Sequence, residues 1–133
     1  MGTWAADSFS NDGALDWLQD FVEAPTMEML RDTLEYIATL DTDDYLEAPD
    51  CEEAIVAAEI VAALSGKPSA KLPDDLMTWL ATDHGLTVAS LLATARSAMN
   101  RIVAASELQE LWAGSDLNPQ WLAEMSDLTH RLT

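Results

Sequence analysis

The sequence predicts an all-α protein, a single compact helical bundle of about six to seven helices with an extended N-terminal segment. Three observations carry that expectation. Apolar residues recur at the helical period along most of the chain, and no run alternates long enough to build a sheet. Turn formers (Pro25, Pro49, Ser65-Gly66, Gly85, Gly114 and Asn118-Pro119 among them) punctuate those periodic stretches. The 133 residues are 49% hydrophobic, enough for one core without disulfide or metal staples. No internal repeat, low-complexity tract or second-domain boundary interrupts residues 1–133, so one helical domain is expected.

Each element follows from local signals. Residues 1–10 hold Trp4 and Phe9 among small and polar residues, and their rings are expected to dock this segment on the helices. Asn11 or Asp12 can cap a first helix to about Glu23, with Ala14, Leu15, Leu18, Phe21 and Val22 on its apolar stripe. Pro25 closes it. Thr26 caps a second helix to about Leu40, on which Met27, Leu30, Leu34 and Ile37 share a face. An acidic connection follows from Asp41 to Asp50. Asp50 and Glu53 have capping-box spacing and are expected to open a third helix through Leu64. Between Ala54 and Leu64 only Glu59 is polar, so this helix should be buried nearly all round and lie at the centre.

Pro73 suits the first turn of a short fourth helix to about Thr82, carrying Leu76, Trp79 and Leu80. The longest helix is expected from about Thr87, with Val88, Leu91, Leu92, Ala95, Met99, Ile102 and Val103 on its inner stripe. Ser106 with Gln109 restarts it as a capping box before Leu108, Leu111 and Trp112, and Gly114 stops it. Asn118-Pro119 caps the last helix, where Trp121, Met125, Leu128 and Leu132 recur at helical spacing.

Charge narrows the function classes. Six basic residues face 24 acidic ones, a formal net charge of −18. The first 60 residues hold 16 of the acids and a single base, Arg31. Such a field repels phosphate backbones and anionic lipid surfaces, so neither nucleic acid nor membrane is an expected partner. A basic protein surface or a cation is attracted. No apolar stretch approaches the roughly 20 residues of a membrane span, and the N-terminus lacks the basic start and apolar run of a secretory signal. Met1-Gly2 has the start of a myristoylation signal, but Ala6 stands where Ser or Thr is wanted. Cytoplasm is the simplest address. With one cysteine, Cys51, no internal disulfide can form, and its apolar helix makes it a buried small hydrophobe.

Catalytic and metal-binding signatures are weak throughout. Asp41 to Glu53 packs seven carboxylates into 13 residues. An EF-hand starting at Asp41 would match at Asp41, Asp43 and Glu52, but Tyr45 and Leu46 replace a ligand and the obligatory glycine. That excludes an EF-hand and leaves a solvated acidic loop with helix-capping carboxylates, a partner-binding patch or a looser, adventitious cation site. His84 and His130 lie in no HExxH or His/Cys cluster. Asp83-His84 reads as a polar helix end where a protonated imidazole meets terminal carbonyls, and His130 as a surface residue. There is no GxSxG turn, no phosphate-cradling glycine loop, and no base beside Cys51 to activate it. The five tryptophans read as core and not as a ligand cage. No catalytic residue, metal ligand or cofactor is assigned.

Met-Gly-Thr-Trp at 1–4, then Phe9, Asn11-Asp12, Ala14 and Asp16-Trp17, resembles the start of the bacterial family DUF4259, a domain of unknown function. Ser106-Glu107-Leu108 and Glu110-Leu111-Trp112 resemble its second recurring stretch. The resemblance implies a small, helical, cytoplasmic bacterial protein and brings no reaction, substrate or cofactor with it. Both stretches also have a structural account, since Asn11 or Asp12 and Ser106 are helix caps and Leu108 and Trp112 share a helix face.

Three functional readings are ordered on these grounds. The first is a protein-binding module, of immunity or regulatory type, whose Asp41, Asp43, Asp44, Glu47, Glu52 and Glu53 meet a basic partner protein. The second is a structural or self-associating subunit, a homo-oligomer. The third is an enzyme with a carboxylate and His84 site.

Overall fold

The computed structural model describes residues 6–82 and 84–133, and among these are seven α-helices and no β-strand. They are α1 (Asp12–Glu23), α2 (Met27–Ala38), α3 (Ala48–Leu64), α4 (Asp74–Leu80), α5 (Leu92–Ala104), α6 (Glu107–Ala113) and α7 (Asn118–Arg131). A 3-10 turn at Ala89–Leu91 leads into α5. The expected all-α bundle is what the chain forms.

α3 is its axis. It packs against α1, α2, α5, α6 and α7, and every residue from Ala54 to Ala62 is buried. Its small Ala and Val side chains let neighbouring helices close on all sides, so the expected central rod is realised. Helices α1 and α2 start as read, with the Asn11 side chain accepting from the Ala14 N–H at 2.7 Å and Thr26 accepting from Met29 at 3.0 Å.

Several expectations are corrected. The α1 stripe rolls toward Trp17: Ala14, Trp17, Leu18 and Phe21 are buried, whereas Leu15 is 37% exposed and Val22 half-buried. The roll hides the larger aromatic area, with Trp17 stacked on Phe21 at 5.5 Å and Phe21 edge-on to Trp79 at 5.0 Å. Asp50 and Glu53 do not form a capping box, because α3 has already begun at Ala48. Pro49, with φ pre-set and no N–H to satisfy, belongs inside that first turn. The cap comes from elsewhere: Glu107 Oε1 of α6 accepts from the Ala48 N–H at 2.8 Å.

α5 starts at Leu92, later than Thr87, and its 13 residues make it shorter than the 17-residue α3. Ser106 sets its end. The buried hydroxyl donates to the Ile102 carbonyl at 2.6 Å and accepts from the Gln109 N–H at 3.0 Å, finishing α5 and capping α6 with one side chain. Asn118 lies within α7, and Leu117 takes the cap position without a side-chain bond.

Ahead of α1, residues 6–10 are non-helical, and Asp7 turns them by accepting from the Phe9 N–H and the Ser10 hydroxyl. Phe9 is buried as expected; Trp4 and Asp83 lie outside the described residues. The remaining tryptophans, Trp17, Trp79, Trp112 and Trp121, all sit in the core.

Glu59, the one polar residue in the buried stretch of α3, is 1% exposed and fully engaged. Arg131 at the end of α7 bonds its Oε1 at 2.9 Å, and the Ser8 hydroxyl bonds Oε2 at 2.6 Å. Burial disfavours the Arg131 charge, but Glu59 and Asp127 outweigh it and hold the guanidinium above its ordinary pKa.

Candidate functional site

The acidic connection between α2 and α3 is a framed loop. Leu46 is its anchor, 1% exposed, and the Leu46 carbonyl accepts from the Glu107 N–H at 2.8 Å. Glu107 thus holds both Leu46, through its backbone, and Ala48, through its carboxylate. Tyr45 is exposed on the outside and its hydroxyl donates to Glu110 at 3.0 Å. Loss of hydration, the Glu110 acceptor and nearby Glu107 and Glu47 keep the phenol above its ordinary pKa.

Arg101 of α5 completes the frame. Its guanidinium donates to the backbone carbonyls of Leu40, Asp41, Asp44 and Ala105. The base nearest the loop therefore grips its main chain, and the planar fork suits several converging carbonyls better than an ammonium would. A shallow groove of about 190 Å3 runs beside it, lined in part by Asp43, Asp44, Tyr45, Arg101 and Glu110.

The carboxylates stay outside this arrangement. Asp41, Asp43, Asp44 and Glu47 are exposed, and among the described residues the ion pairs are Lys71–Glu124, Arg131–Glu59 and Arg131–Asp127. The six residues read as a partner-binding patch are consequently split. Four project from the loop. Glu52 and Glu53 are half-buried on α3, Glu52 beside the first turn of α1 and Glu53 in a groove with Asp32, Thr33 and Tyr36 of α2.

Glu52 packs on the first turn of α1, where a Cβ added to Gly13 would lie 3.4 Å from its Oε2. Burial, then the charges of Asp12 and Glu53, raises its pKa. Glu53 is raised by burial and by Asp50 and Asp20. Among the described residues no group of three or more His, Cys, Asp or Glu side chains is placed to hold a metal ion.

The other candidate residues have structural surroundings. Cys51 is fully buried, and burial pushes its thiol up to about 11. His84 stacks on Trp79 with ring centroids 4.6 Å apart, and its Nδ1 accepts from the Leu86 N–H at 3.1 Å. The imidazole therefore closes a turn on the Leu86 N–H and does not meet helix carbonyls as expected. His130 is exposed, as read.

The two recurring stretches meet in space, which their separation in the chain concealed. Ser8 and Asn11 from one, Leu108 and Trp112 from the other, and Glu52 and Trp121 line a crevice of about 10 Å3. Such a volume is no more than a single water needs, roughly 10–15 Å3. Trp112 of the second stretch stacks on Trp121 of α7 at 6.2 Å beside this crevice. Asn11, Ser106 and Glu107 supply the caps of α1, α6 and α3.

Fold and loop together define a class, an all-α bundle bearing a framed acidic loop. The chain belongs to the family described as domain of unknown function (DUF4259), whose model matches residues 2–124. No match was found among curated proteins or among solved structures. No helix of the described residues is long and apolar enough to cross a membrane.

Proposed function

We propose that this chain is a protein-binding module whose loop carboxylates Asp41, Asp43, Asp44 and Glu47 recognise a basic surface of a partner protein. One observation carries the reading: Arg101 fixes the loop through its backbone carbonyls and leaves these carboxylates exposed and unpaired among the described residues. A held loop loses little conformational freedom on binding, and unpaired surface charge of one sign speeds encounter and sets register. The net charge of −18 extends the attraction and opposes pairing with a second copy. A regulatory or immunity-like role and cytoplasmic residence belong to the same proposal.

The test is co-purification from the native cell, comparing the tagged chain with a D41N/D43N/D44N/E47Q variant at low and moderate salt. A basic protein identified with the natural chain should be lost from the variant and should weaken as salt rises. Equal retention by both chains at both salt concentrations removes the loop from the interaction.

A further inference from the structure

A second surface stands apart from the acidic loop. The roll of α1 that buries Trp17 turns Leu15 outward, to 37% exposure, and leaves Val22 half-buried. With Leu18 and Pro73 they floor an open groove of about 430 Å3 between α1 and the start of α4. Leu15, Leu18 and Val22 have i, i+3, i+7 spacing, a seam of two helical turns or about 10 Å.

Carboxylates border this seam on both sides, with Glu23 on the α1 edge and Asp75 on the α4 edge. Exposed Asp16, seven residues before Glu23, falls on the same flank of α1 at 3.6 residues per turn. No base is among the lining residues.

We infer that this groove docks an amphipathic helix of a partner protein, one whose apolar seam is flanked on both sides by Lys or Arg. Helix-in-groove recognition uses anchors at i, i+3 or i+4 and i+7, which the Leu15–Leu18–Val22 floor matches in length. Charge complementarity selects the occupant. A second copy bringing the same face would set Asp16, Glu23 and Asp75 against acidic partners, and like charges at an interface are repulsive. A basic-flanked helix instead meets an acid on each side while its apolar seam covers Leu15 and Val22.

The probe is a fluorescein-labelled synthetic peptide of roughly 14 residues, about four helical turns, with Leu on one seam and Lys on both flanks. A peptide of identical composition with the seam scrambled is the control. Anisotropy titration should show the amphipathic peptide binding and the scrambled one binding more weakly. L15S/V22S should weaken the amphipathic peptide by about ten-fold or more, since both anchors lose their apolar contact. E23Q/D75N, which leaves the floor intact, should also weaken it and flatten its salt dependence. D43N/D44N/E47Q on the acidic loop should leave it unchanged, which keeps this outcome separate from that of the loop.

Absence of binding overturns the inference. So does equal affinity for the scrambled peptide, which signals bulk charge attraction alone. Binding that the loop variant abolishes and the groove variants keep assigns the peptide to the loop and refutes the groove. Should L15S/V22S lose its helical circular dichroism, E23Q/D75N and backbone chemical-shift mapping of the natural chain decide, with shifts on α1 and α4 expected.

Discussion

Ser8 and Glu59, 51 positions apart, are joined by a 2.6 Å hydrogen bond from the serine hydroxyl to Glu59 Oε2. Arg131 holds the other oxygen of the same carboxylate at 2.9 Å and also donates to the Lys67 carbonyl at 3.2 Å. One buried acid therefore ties the segment before α1, the central helix, the linker after it and the end of α7.

Breaking that junction from different sides should have unequal effects. Arg131→Met leaves a carboxylate with 2% side-chain exposure uncompensated and should cost about 3–5 kcal/mol, the range for orphaning half of a buried pair. Ser8→Ala removes one hydrogen bond to a charged group and should cost about 1.5–3 kcal/mol. Chemical denaturation of both single variants and the double variant measures this. Because they share one carboxylate, the losses should be non-additive. Additive losses would mean that the two contacts act independently.

Arg101 predicts a local effect. Arg101→Met removes the donors that converge on Leu40, Asp41 and Asp44 while leaving the anchor Leu46 in the core. Amide exchange at Thr42 to Asp44 should accelerate and proteases should cut there, with the exchange of α3 unchanged. Arg101→Lys should rescue little, because a point-like ammonium cannot reproduce a fork spanning several carbonyls. Global acceleration, in α3 as well, would show that Arg101 supports the whole core and not the loop.

How far the sequence could be read depended on whether the signal was local. The Asn11, Thr26 and Ser106 caps and the apolar Ala54–Ala62 run are encoded within a few residues, and the helices formed there. Glu107 was missed as the cap of α3, because its acceptor role depends on a partner 59 positions away. Its only local hint was an acid directly after the cap Ser106. The Glu59 junction was half visible: an isolated acid in an apolar helix demands a buried partner, but nothing nearby named Arg131 or Ser8. Helical periodicity likewise tolerated two rotations of α1, and packing of Trp17 and Phe21 against Trp79 chose between them. For the candidate site, the acidic composition of 41–53 was evident. That Glu52 packs on α1 and Glu53 lines a groove with α2 was not, because both depend on how distant helices pack against α3.

Cys51 should be inert in the folded chain. It has no exposure, and burial raises its thiol to about 11, so almost no thiolate exists near neutral pH. A disulfide exchange reagent should titrate no thiol at pH about 7.5 in buffer and one thiol after addition of denaturant. Rapid labelling without denaturant would require α3 to open readily at its first turns.

The half-buried acids of α3 give a pH dependence of definite sign. Burial and the neighbouring carboxylates Asp12, Asp20 and Asp50 raise the pKa of Glu52 and Glu53 above the unfolded value. A folded-state pKa above the unfolded one contributes stability that is present below the unfolded value and lost as pH rises through the folded value. At neutral pH both side chains therefore oppose folding, and acidification toward the glutamate range relieves them. E52Q/E53Q should raise the urea midpoint at neutral pH, and its advantage over the natural chain should shrink as pH falls toward about 4.3. The Gln side chains keep the shape and remove the charge, which isolates electrostatics from packing. A variant less stable than the natural chain at neutral pH would mean that the Glu52 carboxylate beside Gly13 is held favourably by the N-terminus of α1, and that this attraction exceeds the repulsion from its acidic neighbours.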